Sequence, residues 1–155
     1  MSSDLSGVGM DEEQEIPDGD LLWRWVSTEN PRMMRYDSVT NEVLGPSSAA
    51  FKPHDDGTSV YVRRILDECG IGPTGISDNP QNSVWELEAK SIRDQELDVV
   101  PDAWPQDIPS PEHPRNAGHA LIVGWEMLGR KQIDKKAQAL SRAASCVYHP
   151  AERPS

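Results

Sequence analysis

Thr58-Ser59-Val60-Tyr61-Val62-Arg63-Arg64-Ile65-Leu66-Asp67-Glu68-Cys69-Gly70 decides the fold class, because the hydrophobic period changes inside it. Polar and apolar residues alternate from Thr58 to Val62, as on a strand with one covered face. From Val62 onward the apolar positions are Val62, Ile65, Leu66 and Cys69, spaced i, i+3, i+4 and i+7. That spacing predicts a short helix, stopped by Gly70. A strand feeding directly into a helix points to a mixed α and β domain.

The flanking segments extend this reading. Leu21-Leu22-Trp23-Arg24-Trp25-Val26 packs five large apolar residues into six positions, which suits a strand covered on both faces. From Val84 to Ala89, Trp85, Leu87 and Ala89 point one way and Glu86, Glu88 and Lys90 the other. Ser91 to Leu97 reads as one or two helical turns leading into Val99-Val100, and His119 to Gly124 as a buried strand. Between Arg130 and Val147, the residues Ile133, Ala137, Leu140, Ala144 and Val147 form one face of a four-turn helix. The fold class is therefore α+β: a small mixed sheet of four to five short strands with a C-terminal helix packed on one face.

Other stretches carry turn chemistry. Residues 37–46 and 70–82 are rich in Asp, Asn, Ser, Gly and Pro, and Asp56-Gly57 marks a tight turn. Ser47 to Phe51 reads as a short packed strand. Pro101, Pro105, Pro109, Pro111 and Pro114 make a long extended loop on the surface.

The 155 residues carry a net charge of −11, placed unevenly. Asp4, Asp11, Glu12, Glu13, Glu15, Asp18 and Asp20 give residues 1–20 a charge of −7 with no Lys or Arg. This segment buries too little apolar surface to offset chain entropy and reads as a disordered acidic tail. Residues 21–148 form a single α+β domain, and 149–155 read as a disordered C-terminal end. An acidic protein repels phosphate backbones, which disfavours nucleic acid as a partner.

No apolar run approaches the roughly 20 residues of a membrane span. Cys69 and Cys146 are isolated and read as reduced thiols. With no basic and apolar leader at its start, the chain reads as cytoplasmic.

Several motifs fail on their context. Gly70-Ile71-Gly72-Pro73-Thr74-Gly75 matches G-x-G-x-x-G, but a helical pattern precedes it, Pro73 removes a donor, and no helix follows. Gly45-Pro46-Ser47-Ser48-Ala49 lacks the second glycine of a nucleophile elbow. His54, His113, His119 and His149 have no ligand spacing, and His54-Asp55-Asp56 before Gly57 reads as a solvated turn. The residues call for no metal and no cofactor.

Three polar residues stand out as site candidates: Arg24, Glu86 and His119. Arg24 lies between two tryptophans and must reach solvent, an aromatic face or a carboxylate. Glu86 shares a strand face with Glu88, as paired acid–base carboxylates do. His119 opens an apolar strand directly after the Pro-rich loop, where sheets present functional groups. The last helix adds a basic face: Arg130, Lys131, Lys135, Lys136 and Arg142.

The succession Leu22-Trp23-Arg24, Pro46-Ser47-Ser48-Ala49-Ala50-Phe51, Thr58-Ser59-Val60, Val99-Val100-Pro101-Asp102 and His119-Ala120-Leu121 resembles a group of small bacterial hypothetical proteins. They share the order Arg, Ser-Ser-x-x-Phe, Ser-Val, Val-x-x-Asp-Pro and His-Ala-Leu; here Pro101-Asp102 stands where that group has Asp-Pro. The resemblance implies a compact bacterial domain and no particular activity. A more distant similarity is to RES-type toxins and other ADP-ribosyltransferase-like, NAD-consuming enzymes. Arg24, Ser59, Tyr61 and Glu86 follow that family's order of arginine, polar residues with tyrosine, then glutamate, without its Gly-rich arginine segment, and the resemblance makes Tyr61 a fourth site candidate.

Two functional expectations result. The first is a non-catalytic accessory or protein-interaction protein of a bacterial or phage system. It would engage a partner through the basic helix face, the acidic tail or the Pro-rich loop. The second is a RES-type, NAD-handling enzyme in which Arg24 clamps phosphate and a glutamate orients the ribose.

Overall fold

The computed structural model describes residues 15–54, 57–102 and 114–150. Eight strands, β1 (Leu21–Ser27), β2 (Met34–Tyr36), β3 (Val43–Pro46), β4 (Thr58–Val62), β5 (Asn82–Glu88), β6 (Asp98–Pro101), β7 (His119–Val123) and β8 (Ser145–Tyr148), accompany three helices. The helices are α1 (Arg63–Glu68), α2 (Ala89–Arg93) and α3 (Arg130–Ala143). Six strands form one sheet in the order β6-β7-β4-β1-β5-β8, and β2 pairs with β3 in a separate hairpin.

Every ladder in the sheet is antiparallel, so the expected mixed sheet is corrected to an antiparallel one of six strands. The neighbours lie far apart in the chain, as Leu22–Leu87 and Tyr61–His119 show, so strand direction is set by long-range register that no local pattern carries. The extra strand is β8. The 3.6-residue pattern of apolar positions runs on to Val147, but α3 ends at Ala143 and Ala144 takes extended backbone. Ser145-Cys146-Val147-Tyr148 then pairs along β5. The Val-Tyr pair suits a strand, and β5 offers a free edge. Ser47 to Phe51 also differs from the expected strand, forming a 3₁₀ turn over Ser48–Phe51.

Alternation along the strands assigns the two faces. Leu22, Val26, Val60, Val62, Trp85, Leu87, Val99, Ala120 and Ile122 enter the main core with Ala137 and Leu140 of α3, Ile92 of α2, and Phe51. Each fully buried Val, Leu, Ile or Phe side chain among them contributes about 1.5–3 kcal/mol. The opposite face carries a smaller cluster of Trp23, Tyr61, Val84, Leu66 and Ile76, covered by α1 and the loop that follows. The strand-to-helix switch at Val62 is as the sequence predicts, and Gly70 closes it at φ +73°.

Ordered chain begins before residue 21. Ile16 is fully buried in the main core, Asp18 pairs with Arg93, and Asp20 pairs with Arg64. The acidic segment expected to be disordered through residue 20 thus contributes its last six residues to the fold. Residues 1–14, most of the Pro-rich loop, Asp55-Asp56 and 151–155 lie outside the described residues.

Gly57 opens β4 at φ +157°, and a Cβ there would stand 2.4 Å from the Ile122 carbonyl oxygen. Only glycine allows this approach, which seats β4 against β7.

Candidate functional site

The register of three neighbouring strands gathers three groups on one sheet face. Ser59 and Tyr61 lie two residues apart on β4 and project to the same side. Tyr61 is opposite His119 of β7, which makes His119 the diagonal neighbour of Ser59. Beyond β7, Asp102 follows the end of β6, and its amide donates to the His119 carbonyl at 2.9 Å.

The side chains meet accordingly. Nε2 of His119 is 3.1 Å from Oγ of Ser59. Nδ1 of His119 is 3.1 Å from Oδ2 of Asp102 and 3.1 Å from the Asp102 carbonyl oxygen. Both oxygens facing Nδ1 only accept, so in the neutral ring that nitrogen carries the proton. Nε2 is then the acceptor, and the Ser59 hydroxyl donates to it. His119 retains 20% side-chain exposure and Asp102 54%, so the row opens to solvent.

Tyr61 connects this row to a cleft. Its ring meets the His119 ring edge-on at a centroid distance of 5.3 Å. It also lines an open cleft of about 430 Å³ with Trp25, Ile76, Asn79, Asn82 and Arg115. Arg115 is held by Asp78 at 3.1 Å and by Tyr61. Burial raises the Tyr61 phenol above its ordinary range, with the Arg115 charge and hydrogen bond acting in the opposite direction.

Arg24 lies on the other face. β1 and β4 pair only at Leu22–Val62 and Trp23–Tyr61. Where that ladder stops, the Arg24 guanidinium enters, donating from Nε to the Ala50 carbonyl and from Nη1 to the Ser59 carbonyl at 2.7 Å. It lies 5.9 Å from the centroid of Phe51. No carboxylate pairs with it among the described residues. Burial lowers its pKa to about 10, opposed by the nearby Tyr61 phenol.

Glu86 is also committed. It accepts from Nε1 of Trp23 at 2.9 Å and from Arg63 at 3.0 Å, while Arg63 lies over the Trp23 ring at 5.7 Å. Of the four sequence candidates, Tyr61 and His119 touch. Glu86 is tied to Trp23 and Arg63 elsewhere on their face, and Arg24 lies across the sheet. The constellation of a RES-type enzyme is not assembled among the described residues.

Two functional groups escaped the sequence reading: Asp102, noted only as half of a swapped dipeptide, and Arg115. Ser59 entered only through the two resemblances, as the Ser of Ser-Val and as a polar residue in the NAD-enzyme order. The available signal was an Asp closing one apolar strand and a His opening the next, which adjacent antiparallel strands bring face to face.

The other weighed motifs have local structural roles. Gly70 to Gly75 follows α1 and leads into a 3₁₀ turn at Pro73–Ile76, so it remains a loop. Ser47 donates to the Arg32 carbonyl. No cluster of metal-ligating side chains occurs among the described residues, and no helix there is long and apolar enough to cross a membrane.

The fold and this site define the chain as an α+β protein with a six-stranded antiparallel sheet and an open polar row on one face. Comparison with known proteins finds no matching family model, no matching curated protein and no matching solved structure.

Proposed function

We propose that this protein is an interaction module whose docking surface is the first turn and outer stripe of α3, and whose partner is an acidic protein surface. The observation that carries the reading is the charge placed at the helix start. Arg130 and Lys131 occupy the first turn, no acidic residue accompanies them, and Gly129 at the N-cap supplies no side-chain cap. Helix stability favours the opposite sign there, because the N-terminal end of the dipole is positive. These cations therefore serve something other than the helix.

Their neighbourhood supports the reading. Lys52, Arg63, Arg64, Lys90, Arg93 and Arg115 each have a carboxylate partner. Among the described residues, Arg130, Lys131, Lys135 and Arg142 have none; Arg24, Arg32 and Arg35 also lack one, but the first four share a single helix. Lys131, Lys135 and Arg142 align on one stripe at i, i+4 and i+11. Met127, just before the helix, is 91% exposed, and an adaptable thioether beside cations is a composition that protein interfaces favour. Lys136 is engaged with the Gln95 carbonyl and is a packing residue. An acidic partner gains on-rate and orientation from such a stripe.

The test is photo-crosslinking in the native host, with the crosslinking side chain at position 127. Expected is a crosslink to an acidic protein that disappears in the Lys131→Glu/Lys135→Glu variant and weakens at high salt. Absence of a crosslink, or one indifferent to both changes, overturns the reading.

A further inference from the structure

We propose that Ser59, His119 and Asp102 constitute a nucleophilic serine site that accepts acyl groups from small activated esters or thioesters, a chemical function separate from the α3 docking surface. The geometry meets both requirements for activating a hydroxyl. The base lies within hydrogen-bond reach of the nucleophile, and a carboxylate orients the base through its second nitrogen. The proton on Nδ1 is fixed by two acceptor oxygens, so the imidazole presents its free lone pair to Ser59.

The row is also built to hold its position. Arg24 grips the Ser59 carbonyl from beneath the sheet, and the backbone of Asp102 is bonded to that of His119. Each group thus sits on or beside a paired strand, which holds it more firmly than a free loop would. A cleft lined by Trp25, Ile76, Asn79 and Asn82 adjoins Tyr61, whose ring packs against His119.

The step balances without any added reagent. Oγ of Ser59 attacks the acyl carbon and its proton passes to Nε2 of His119. The bond from the acyl carbon to the leaving oxygen or sulfur breaks, and Nε2 returns the proton to that leaving group. Water then gives a proton to Nε2 and attacks the Ser59 ester. Oγ departs with the proton back in place, and a carboxylic acid is released.

The probe is a fluorophosphonate, followed by intact mass and peptide mapping on the full chain, with p-nitrophenyl acetate as acyl donor. Expected is a single adduct on Ser59, absent in Ser59→Ala, formed about 100-fold more slowly in His119→Gln and at least several-fold more slowly in Asp102→Asn. Melting curves establish that each variant is folded. As a second arm, the thiol introduced by Ser59→Cys is expected to react with iodoacetamide at least 10-fold faster than Cys69 and Cys146. The proposal is overturned if folded wild-type protein gains no adduct on Ser59, if His119→Gln labels at the wild-type rate, or if the introduced thiol reacts no faster than the two native ones.

Discussion

Nη1 of Arg24 donates to the carbonyl oxygen of Ser59 at 2.7 Å, in place of the strand-to-strand bond that β1 ceases to offer β4 beyond Trp23–Tyr61. The guanidinium therefore acts as a substitute piece of backbone. Arg24→Met removes it and leaves the Ala50 and Ser59 carbonyls short of donors, at about 1–3 kcal/mol each. The expected loss of stability is about 3 kcal/mol, read as a lower urea midpoint at unchanged slope. Arg24→Lys keeps the charge but not the fork, and recovers less than half. A Met variant as stable as the wild type would show instead that burying the cation costs as much as its two bonds return.

Ile16 fixes how far the fold extends toward the N-terminus. It is fully buried in the main core, next to a run that is otherwise acidic. Ile16→Ala is expected to lower stability by about 2–4 kcal/mol through lost burial and the cavity left behind. Amide hydrogen exchange at Ala89 and Lys90, which donate to the carbonyls of Asp20 and Asp18, should accelerate with it. Unchanged exchange at those two amides would mean that the segment is held by its ion pairs alone.

How far the sequence could be read depended on how local each cause is. The switch at Val62 is local: a period of two gives way to one of 3.6 within a dozen residues, and the structure follows. Ile16 was hidden because a single apolar residue among aspartates and glutamates carries no periodic signal. β8 was hidden because Ala144 and Val147 continue the α3 pattern, while the partner that makes them strand lies on β5, some sixty residues earlier. The Ser59–His119 contact likewise spans sixty positions and exists only through strand register. Alternation placed Ser59 beside Tyr61, but which strand would lie next to them was not written nearby. Arg24 was recognised as anomalous, yet the remedy was a pair of main-chain carbonyls, which no residue identity announces.

Asp37 gives the clearest pH dependence. Its carboxylate accepts from the backbone amides of Thr40 and Val39, both at 2.8 Å, and these bonds lower its pKa below the ordinary 3.8. A carboxyl group depressed in the folded state stabilises it fully above the unfolded value and loses that contribution as pH falls through the folded value. The Val39 and Thr40 amide resonances should therefore stay unchanged down to about pH 4 and move together with Asp37 below it. Asp37→Asn should abolish that movement. A midpoint for Asp37 at or above 3.8 would contradict the assignment.

The first turn of α3 separates stability from function in sign. Arg130→Glu and Lys131→Glu each place a negative charge at the positive end of the helix dipole, where the wild type has a positive one. Removing an unfavourable cation and adding a favourable anion should stabilise the protein by about 0.3–1 kcal/mol per site at low salt. Salt should erase much of the gain. If these cations exist for an acidic partner, the same two variants must lose the crosslink from position 127 while melting higher than the wild type. A variant that both melts lower and loses the crosslink would reveal a hidden carboxylate contact to Arg130 or Lys131. One that melts higher and keeps the crosslink would place the docking surface elsewhere. Sites that natural sequences keep against their own stability are where function is expected, and this turn meets that criterion by charge alone.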